Sequence, residues 1–310
     1  MNAANRKLYS EITVVVIAAL FLSSLLFLTS CAVPAGQDQY EANEDEEQAW
    51  QELEVGGNSN SDQEESKEEE NGQEIDEHKP VPRIGIYSGK GSWDVNVAAF
   101  ENFFDQYDID YSSFDEQEAV SLNFSEHYEI ILFTGGFAAE YKNYISDHEN
   151  IRSFVKEGGS FVGTCAGAYY ASDILRWQGT EYHYPLGFFD GRGIGPLSGQ
   201  IGWGETGTFN LDSNHPANES FGQSLDFYYF DGPYFEPYDD QYEIEILARY
   251  AVNDQPAVIA GRYGEGKYLL YGPHPEIGGY SADSPDYNLD GEEGAKWPWL
   301  YSTLHWFSSW

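Results

Sequence analysis

Residues 159–172 read GSFVGTCAGAYYAS. Ser160-Phe161-Val162-Gly163 is a short apolar run of strand length, and Ala166 to Ile174 carries the small and aromatic residues of a helix. Between them stands Cys165, one of two cysteines in 310 residues, framed by Gly163 and Gly167. A strand that turns at once into a helix holds the residue on the turn in a strained backbone conformation. The residues two before and two after then crowd each other and must both be small, which the spacing G-x-C-x-G meets. The turn places the sulfur at the helix N-terminus, where the dipole and free N–H groups favour a thiolate. There the N–H of Ala166 is positioned to stabilise an oxyanion. Taken alone, the spacing more often describes a buried cysteine among flexible glycines, so the neighbouring stretches have to decide.

Those stretches alternate strand and helix. Arg83 to Tyr87 reads as a buried strand, and Ser92 as the cap of a helix through Val95, Ala98, Ala99 and Phe103. Ile109 to Phe114 and Glu129 to Thr134 read as further strands. Asn150 to Glu157 is a helix that stops at Gly158-Gly159. Continuous apolar strands with helices between them predict an α/β fold with a doubly wound, mostly parallel sheet. From Tyr182 to Tyr250 the pattern shifts to glycines, aromatics and short alternating runs, predicting a β-rich insertion. Pro256–Arg262 and Lys267–Tyr271 flank Gly264-Glu265-Gly266 as a hairpin. Trp297 to Trp310 closes the chain as a helix. There is no internal repeat.

Two stretches speak for chemistry at Cys165. Phe133-Thr134-Gly135-Gly136-Phe137 puts a diglycine at a strand's carboxyl end, where doubly wound sheets bind ligands. Gly136 is the expected second oxyanion donor; the alternative is a simple turn. Gly272-Pro273-His274-Pro275-Glu276 follows the strand that ends at Tyr271. His274 can deprotonate Cys165, and Glu276 can hold the other ring nitrogen. The prolines stiffen that loop. The alternative is a surface histidine between turn prolines.

Together FTGG, GTCAGAYYAS and GPHPE resemble the class I glutamine amidotransferase-like superfamily, within it most nearly the biotin-protein ligase N-terminal-domain-like family. Ile86-Tyr87-Ser88-Gly89 and Phe227-Tyr228-Tyr229-Phe230-Asp231-Gly232-Pro233 are similar to that family's strand-turn and aromatic-glycine segments. The resemblance covers nearly all of residues 83–310. It implies a flavodoxin-like sheet, with Cys165 as nucleophile, His274 as base and Glu276 as orienting acid. It does not imply biotin transfer. Nor does it favour ammonia delivery, since ammonia released outside a membrane has no channel to a consumer.

The address follows from the N-terminus. Arg6 and Lys7 precede an apolar run from Ile12 to Leu28, then Leu28-Thr29-Ser30-Cys31. This is similar to a bacterial lipobox, which would place lipid on Cys31; an ordinary secretory signal or a membrane anchor is the alternative. All three put the remainder outside the cytoplasmic membrane. Residues 32–82 carry 17 acids against 2 lysines and few apolar side chains. Such a segment cannot bury enough surface to offset its chain entropy, so it reads as a disordered acidic tether. The expected organisation is therefore a signal peptide over 1–31, the tether over 32–82 and one domain over 83–310.

Of the formal net charge of −38, residues 83–310 supply −24, from 35 acids and 11 bases. Nucleic acid, which needs clustered lysine and arginine, is thereby an unfavourable partner; a salt-rich habitat is one explanation of the acidity. With Cys31 lipidated, Cys165 has no disulfide partner, and a lone thiol exposed to oxidation is more readily explained by chemistry. The sequence implies no cofactor and no metal. Asp286 to Gly291 resembles the first half of a calcium loop, but its twelfth position is Trp297, and a solvated acidic turn is the simpler reading. Arg192 could meet an anionic substrate group or form a surface ion pair. The expected function is amide hydrolysis or acyl transfer on an unspecified small-molecule or peptide amide. The alternative is a binding lipoprotein that keeps the fold and the three residues without turnover.

Overall fold

The computed structural model describes residues 83–239, 243–281, 284–288 and 296–310, the side chains of 279–288 excepted. Residues 1–82, with Cys31, its flanking signal and the acidic tether, lie outside the described residues.

A nine-stranded sheet carries the domain. Its first half joins β2 (Tyr111–Phe114), β1 (Ile84–Tyr87), β3 (Ile130–Phe133), β4 (Ser160–Thr164) and β13 (Gly266–Tyr271), in that order. All four pairings are parallel. This is the strand sequence 2-1-3-4-5 of flavodoxin-like doubly wound folds. Beyond it, β12 (Pro256–Tyr263), β11 (Glu245–Tyr250), β8 (Glu205–Leu211) and β9 (Ser224–Tyr229) continue the same sheet antiparallel. A second sheet of four strands orders β10 (Tyr234–Pro237), β7 (Phe189–Gly195), β5 (Ser172–Trp177) and β6 (Thr180–His183). The β-rich segment thus serves twice: part of it widens the main sheet, and part stands as a small sheet of its own.

Because side chains alternate across a strand, each parallel strand feeds two cores. Ile84, Ile86, Ile130, Leu132, Val162 and Leu269 face one side. There they meet Phe100, Phe103 and Phe104 of α1 (Asp94–Gln106), and Leu300, Leu304 and Phe307 of α7 (Trp297–Ser309). Ile131, Phe133, Phe161 and Leu270 face the other side. The helices covering them are α2 (Glu116–Ser121), α3 (Phe124–His127), α4 (Ala138–Tyr144), α5 (Glu149–Lys156) and α6 (Ala166–Ala171). Helices on both faces explain why these strands are apolar throughout.

Four expectations need correction. The Ser92 hydroxyl donates to the carbonyl of Gly89 at 2.6 Å instead of capping α1, whose N-cap is Trp93. The buried stripe of α1 runs through Asn96, Val97, Phe100 and Phe103, leaving Val95 and Ala98 partly exposed. The helix after Cys165 ends at Ala171, and Ser172 to Trp177 becomes β5, drawn into strand by pairing with β7 and β6. Of the calcium-like stretch Asp286 to Gly291, Asp286 to Asn288 belong to a strand, Ser284–Asn288, paired with Gly279–Ser281, not to a loop; the rest lies outside the described residues.

Candidate active site

Three parallel strands end side by side, and their following residues form the site. Tyr271 of β13 pairs with Thr164 of β4, so Cys165 and Gly272 leave the sheet together. The Cys165 N–H donates to the Tyr271 carbonyl at 2.8 Å, tying the two exits. Phe133 of β3 pairs with Gly163, which brings Gly135-Gly136 to the other flank of the cysteine. This lies at the carboxyl ends of the strands, where open α/β sheets place ligands.

Cys165 sits on the turn with φ 51° and ψ −101°, a left-handed conformation that a side chain with a Cβ rarely adopts. The two glycines are needed for packing. A Cβ on Gly167 would lie 2.0 Å from the Phe133 carbonyl oxygen, and one on Gly163 would lie 2.7 Å from Gly167 backbone atoms. Strain held by such tight surroundings is characteristic of functional positions. Cys165 is 5 % exposed, and its thiol rests on the Phe230 carbonyl oxygen at 3.4 Å.

His274 and Glu276 are fully buried. The Nδ1 of His274 lies 2.7 Å from the Glu276 carboxylate oxygen Oε1, which fixes the ring orientation. The backbone N–H of His274 donates to the Tyr228 carbonyl at 3.0 Å, and its ring meets Phe230 edge to face at 5.1 Å. Its Nε2 is buried without a hydrogen-bond partner. Burial alone would lower the histidine pKa, but the charges of Glu276 and Cys165 outweigh it and push it up to about 10. The raised pKa makes the ring a strong enough base to take the Cys165 proton, and the imidazolium so formed can face the thiolate and protonate a leaving amine.

A fourth member is Asn96, a buried residue of α1. Its amide Nδ2 donates to Glu276 Oε1 at 2.7 Å. The same nitrogen lies 3.0 Å from His274 Nδ1. With the proton on Nδ1 that second contact joins two donors, so Glu276 Oε1 is the shared acceptor. Asn96 is a positioning residue for the carboxylate. Its sequence signal is a polar residue on the stripe that continues through Phe100 and Phe103. Gly135 is packed against this group: a Cβ there would lie 2.6 Å from the His274 ring and 3.0 Å from Asn96 Oδ1.

The two residues expected to supply oxyanion donors, Gly136 and Ala166, share a cleft. Gly136, Cys165 and Ala166 line one cleft of about 330 Å³. Gly136 has φ 148°, and a Cβ would strike the Gly91 carbonyl at 2.0 Å, so only glycine fits. Its neighbours make the local hydrogen bonds, Trp93 N–H to Gly135 O and Phe137 N–H to Gly91 O. No bond within the described fold uses the N–H of Gly136 or of Ala166. A larger hollow of about 570 Å³ opens at the other ends of the strands, by Ser160 and Lys267, away from this chemistry.

Arg192 is placed elsewhere. It bonds Glu181 at 3.0 Å and Glu236 at 3.1 Å, a surface ion pair. Among the described residues no cluster of three or more His, Cys, Asp or Glu is arranged to hold a metal.

The family model described as biotin-protein ligase, N terminal, matches residues 84–294. An uncharacterized protein of Chlamydia muridarum is 31% identical over 160 residues, 48% of this chain and 60% of that protein. The biotin–protein ligase of Schizosaccharomyces pombe is 26% identical over 152 residues, 46% of this chain and 24% of the ligase. The chain thus spans less than two thirds of either relative. A solved glutamine amidotransferase superposes with a TM-score of 0.50 at 17% identity, covering 73% of this chain and 99% of that one, a likeness of fold.

Proposed function

The chain belongs to the biotin-protein ligase N-terminal family of the class I glutamine amidotransferase-like superfamily, and from that premise we propose an amide hydrolase or acyl-transfer enzyme with Cys165 as nucleophile. The observation that carries the reading is the strained Cys165 turn, held beside the buried His274–Glu276 pair by adjoining parallel strands.

The steps follow from the residues. The Cys165 thiol turns from Phe230 O to His274 Nε2 and gives up its proton. The thiolate attacks the substrate carbonyl, forming a C–S bond, and the N–H groups of Gly136 and Ala166 receive the oxyanion. Collapse breaks the C–N bond, and His274 passes the proton to the departing amine. Water, deprotonated by His274, then releases the acyl group as a carboxylate; another amine in its place gives transfer. Glu276, steadied by Asn96, keeps the imidazole in one tautomer throughout. Lipid on Cys31 would hold this domain on the outer side of the cytoplasmic membrane at the end of its acidic tether.

The direct test is to trap the acyl group. The full chain treated with p-nitrophenyl acetate should show a burst of nitrophenol and a mass gain of one acetyl on the Cys165 peptide. His274→Ala should lose the burst. Acetyl on lysines alone, equal in both proteins, would refute the reading and leave a binding protein.

A further inference from the structure

The cleft beside Cys165 is built for one sign of charge. Its walls carry the rings of Tyr169, Trp177, Tyr182, Tyr184 and Phe230, and a single carboxylate, Asp231; no lysine or arginine lines it. Asp231 directly follows Phe230, whose carbonyl oxygen holds the Cys165 thiol. The carboxylate is partly buried, and no hydrogen bond or ion pair engages it among the described residues. Burial raises its pKa, the behaviour of a charge left uncompensated by its surroundings.

Its position is fixed. Asp231 has φ 61°, and its backbone carbonyl accepts the Tyr169 hydroxyl at 2.9 Å. The next residue, Gly232, is wedged so tightly that a Cβ would lie 1.9 Å from the carbonyl oxygen of Gly272, at the root of the His274 loop. A strained turn locked against both catalytic segments is not a free surface loop. A negative group there works against a neighbouring thiolate and against anionic substrates. It favours a substrate that brings a cation, and aromatic rings on the same wall add attraction for it.

We propose that this cleft selects amides whose acyl portion carries an ammonium or guanidinium group, seated among the aromatic rings with Asp231 as counter-charge. The proposal rests on the reading of Cys165 as nucleophile and names what that nucleophile attacks. Free glutamine is disfavoured, since nothing in the lining answers its α-carboxylate.

The test uses the full chain in detergent and three methanethiosulfonates, bearing a trimethylammonioethyl, a methyl or a sulfonatoethyl group. Each reagent's rate on the Cys165 peptide is divided by its rate on 2-mercaptoethanol. Measurements in 0.5 M salt, where the screening length is about 4 Å, suppress the general acidic field. The cation-to-anion ratio should exceed about tenfold in the wild type and fall at least about threefold in Asp231→Asn. Asparagine tolerates the left-handed backbone at this position, so the variant keeps the turn. A wild-type ratio within twofold of unity, or one unchanged in Asp231→Asn, overturns the proposal. The neutral reagent separates this failure from a failure of the nucleophile. If Cys165 reacts with it as a plain thiol, equally in wild type and His274→Ala, the catalytic reading falls first. A reactive Cys165 with no charge preference sinks the cation assignment alone.

Discussion

Replacing Asn96 by alanine should expose how the buried carboxylate is held. In the folded protein Asn96 Nδ2 donates to Glu276 Oε1 at 2.7 Å, and the other carboxylate oxygen, Oε2, already lacks a partner. The substitution therefore leaves Glu276 with His274 as its remaining partner, in a site without water contact at either residue. A hydrogen bond to a charged group contributes about 1.5–3 kcal/mol. Losing it should lower Tm by roughly 4–10 °C for a domain of this size. Calorimetry on the full chain reads the shift, and alkylation of Cys165 at pH 7 should slow in parallel as the imidazole loses its fixed partner. Asn96→Asp is the companion variant. A carboxyl there can replace the amide donor only while it keeps its proton, so its folded-state pKa is raised above the unfolded value of about 3.9. Its stability relative to wild type is then best below about pH 4 and worsens as pH rises from there towards neutrality. A Tm for Asn96→Ala within 2 °C of wild type, together with a pH-independent Asn96→Asp, would refute this account of the network.

Gly167→Ala forces a Cβ to 2.0 Å from the Phe133 backbone oxygen, and both partners are backbone, so something rigid must move. It should cost about 3 kcal/mol or more and lower Tm by about 6 °C or more; a neutral effect would show that the elbow is not as tight as described. The His274 pKa is raised to about 10, against 6.5 unfolded, so its contribution to stability is complete below pH 6.5 and lost as pH climbs towards 10. The Tm gap between wild type and His274→Gln should therefore close over that interval, and a gap constant from pH 6 to 10 would contradict the assigned proton. Cys31→Ser should move the chain from the membrane fraction to the soluble fraction of the cells that make it; retention in the membrane would point to an uncleaved anchor.

The strands that hold the site were legible because both their faces are buried, which leaves no polar alternation in Ile84–Tyr87, Ile130–Phe133 or Ser160–Thr164. The Cys165 turn was legible for a related reason: backbone crowding dictates glycine at Gly163 and Gly167. What failed to show locally was set by distant partners. Ser172–Trp177 continues a helical composition, and only pairing to β7 and β6 makes it a strand. Ser92 has the chemistry of a cap but lies one residue before the N-cap Trp93 and bonds Gly89 instead. Asn96 and Glu276 are 180 positions apart, so their hydrogen bond has no signature in either neighbourhood. Asp231 looks like an ordinary turn residue until the fold brings Tyr169 against its carbonyl and Gly272 against the next residue, Gly232.

The claim on which the account depends is that His274 activates Cys165. The most direct measurement is the rate of Cys165 alkylation by iodoacetamide from pH 5 to 9, followed on its own peptide in wild type and in His274→Ala. An assembled pair should make the wild type react nearly as fast at pH 6 as at pH 8. The variant should gain rate only as an unassisted thiol does, towards a pKa of about 8.5. Two superimposed curves, both rising only near pH 8.5 or both flat at zero, would contradict the claim.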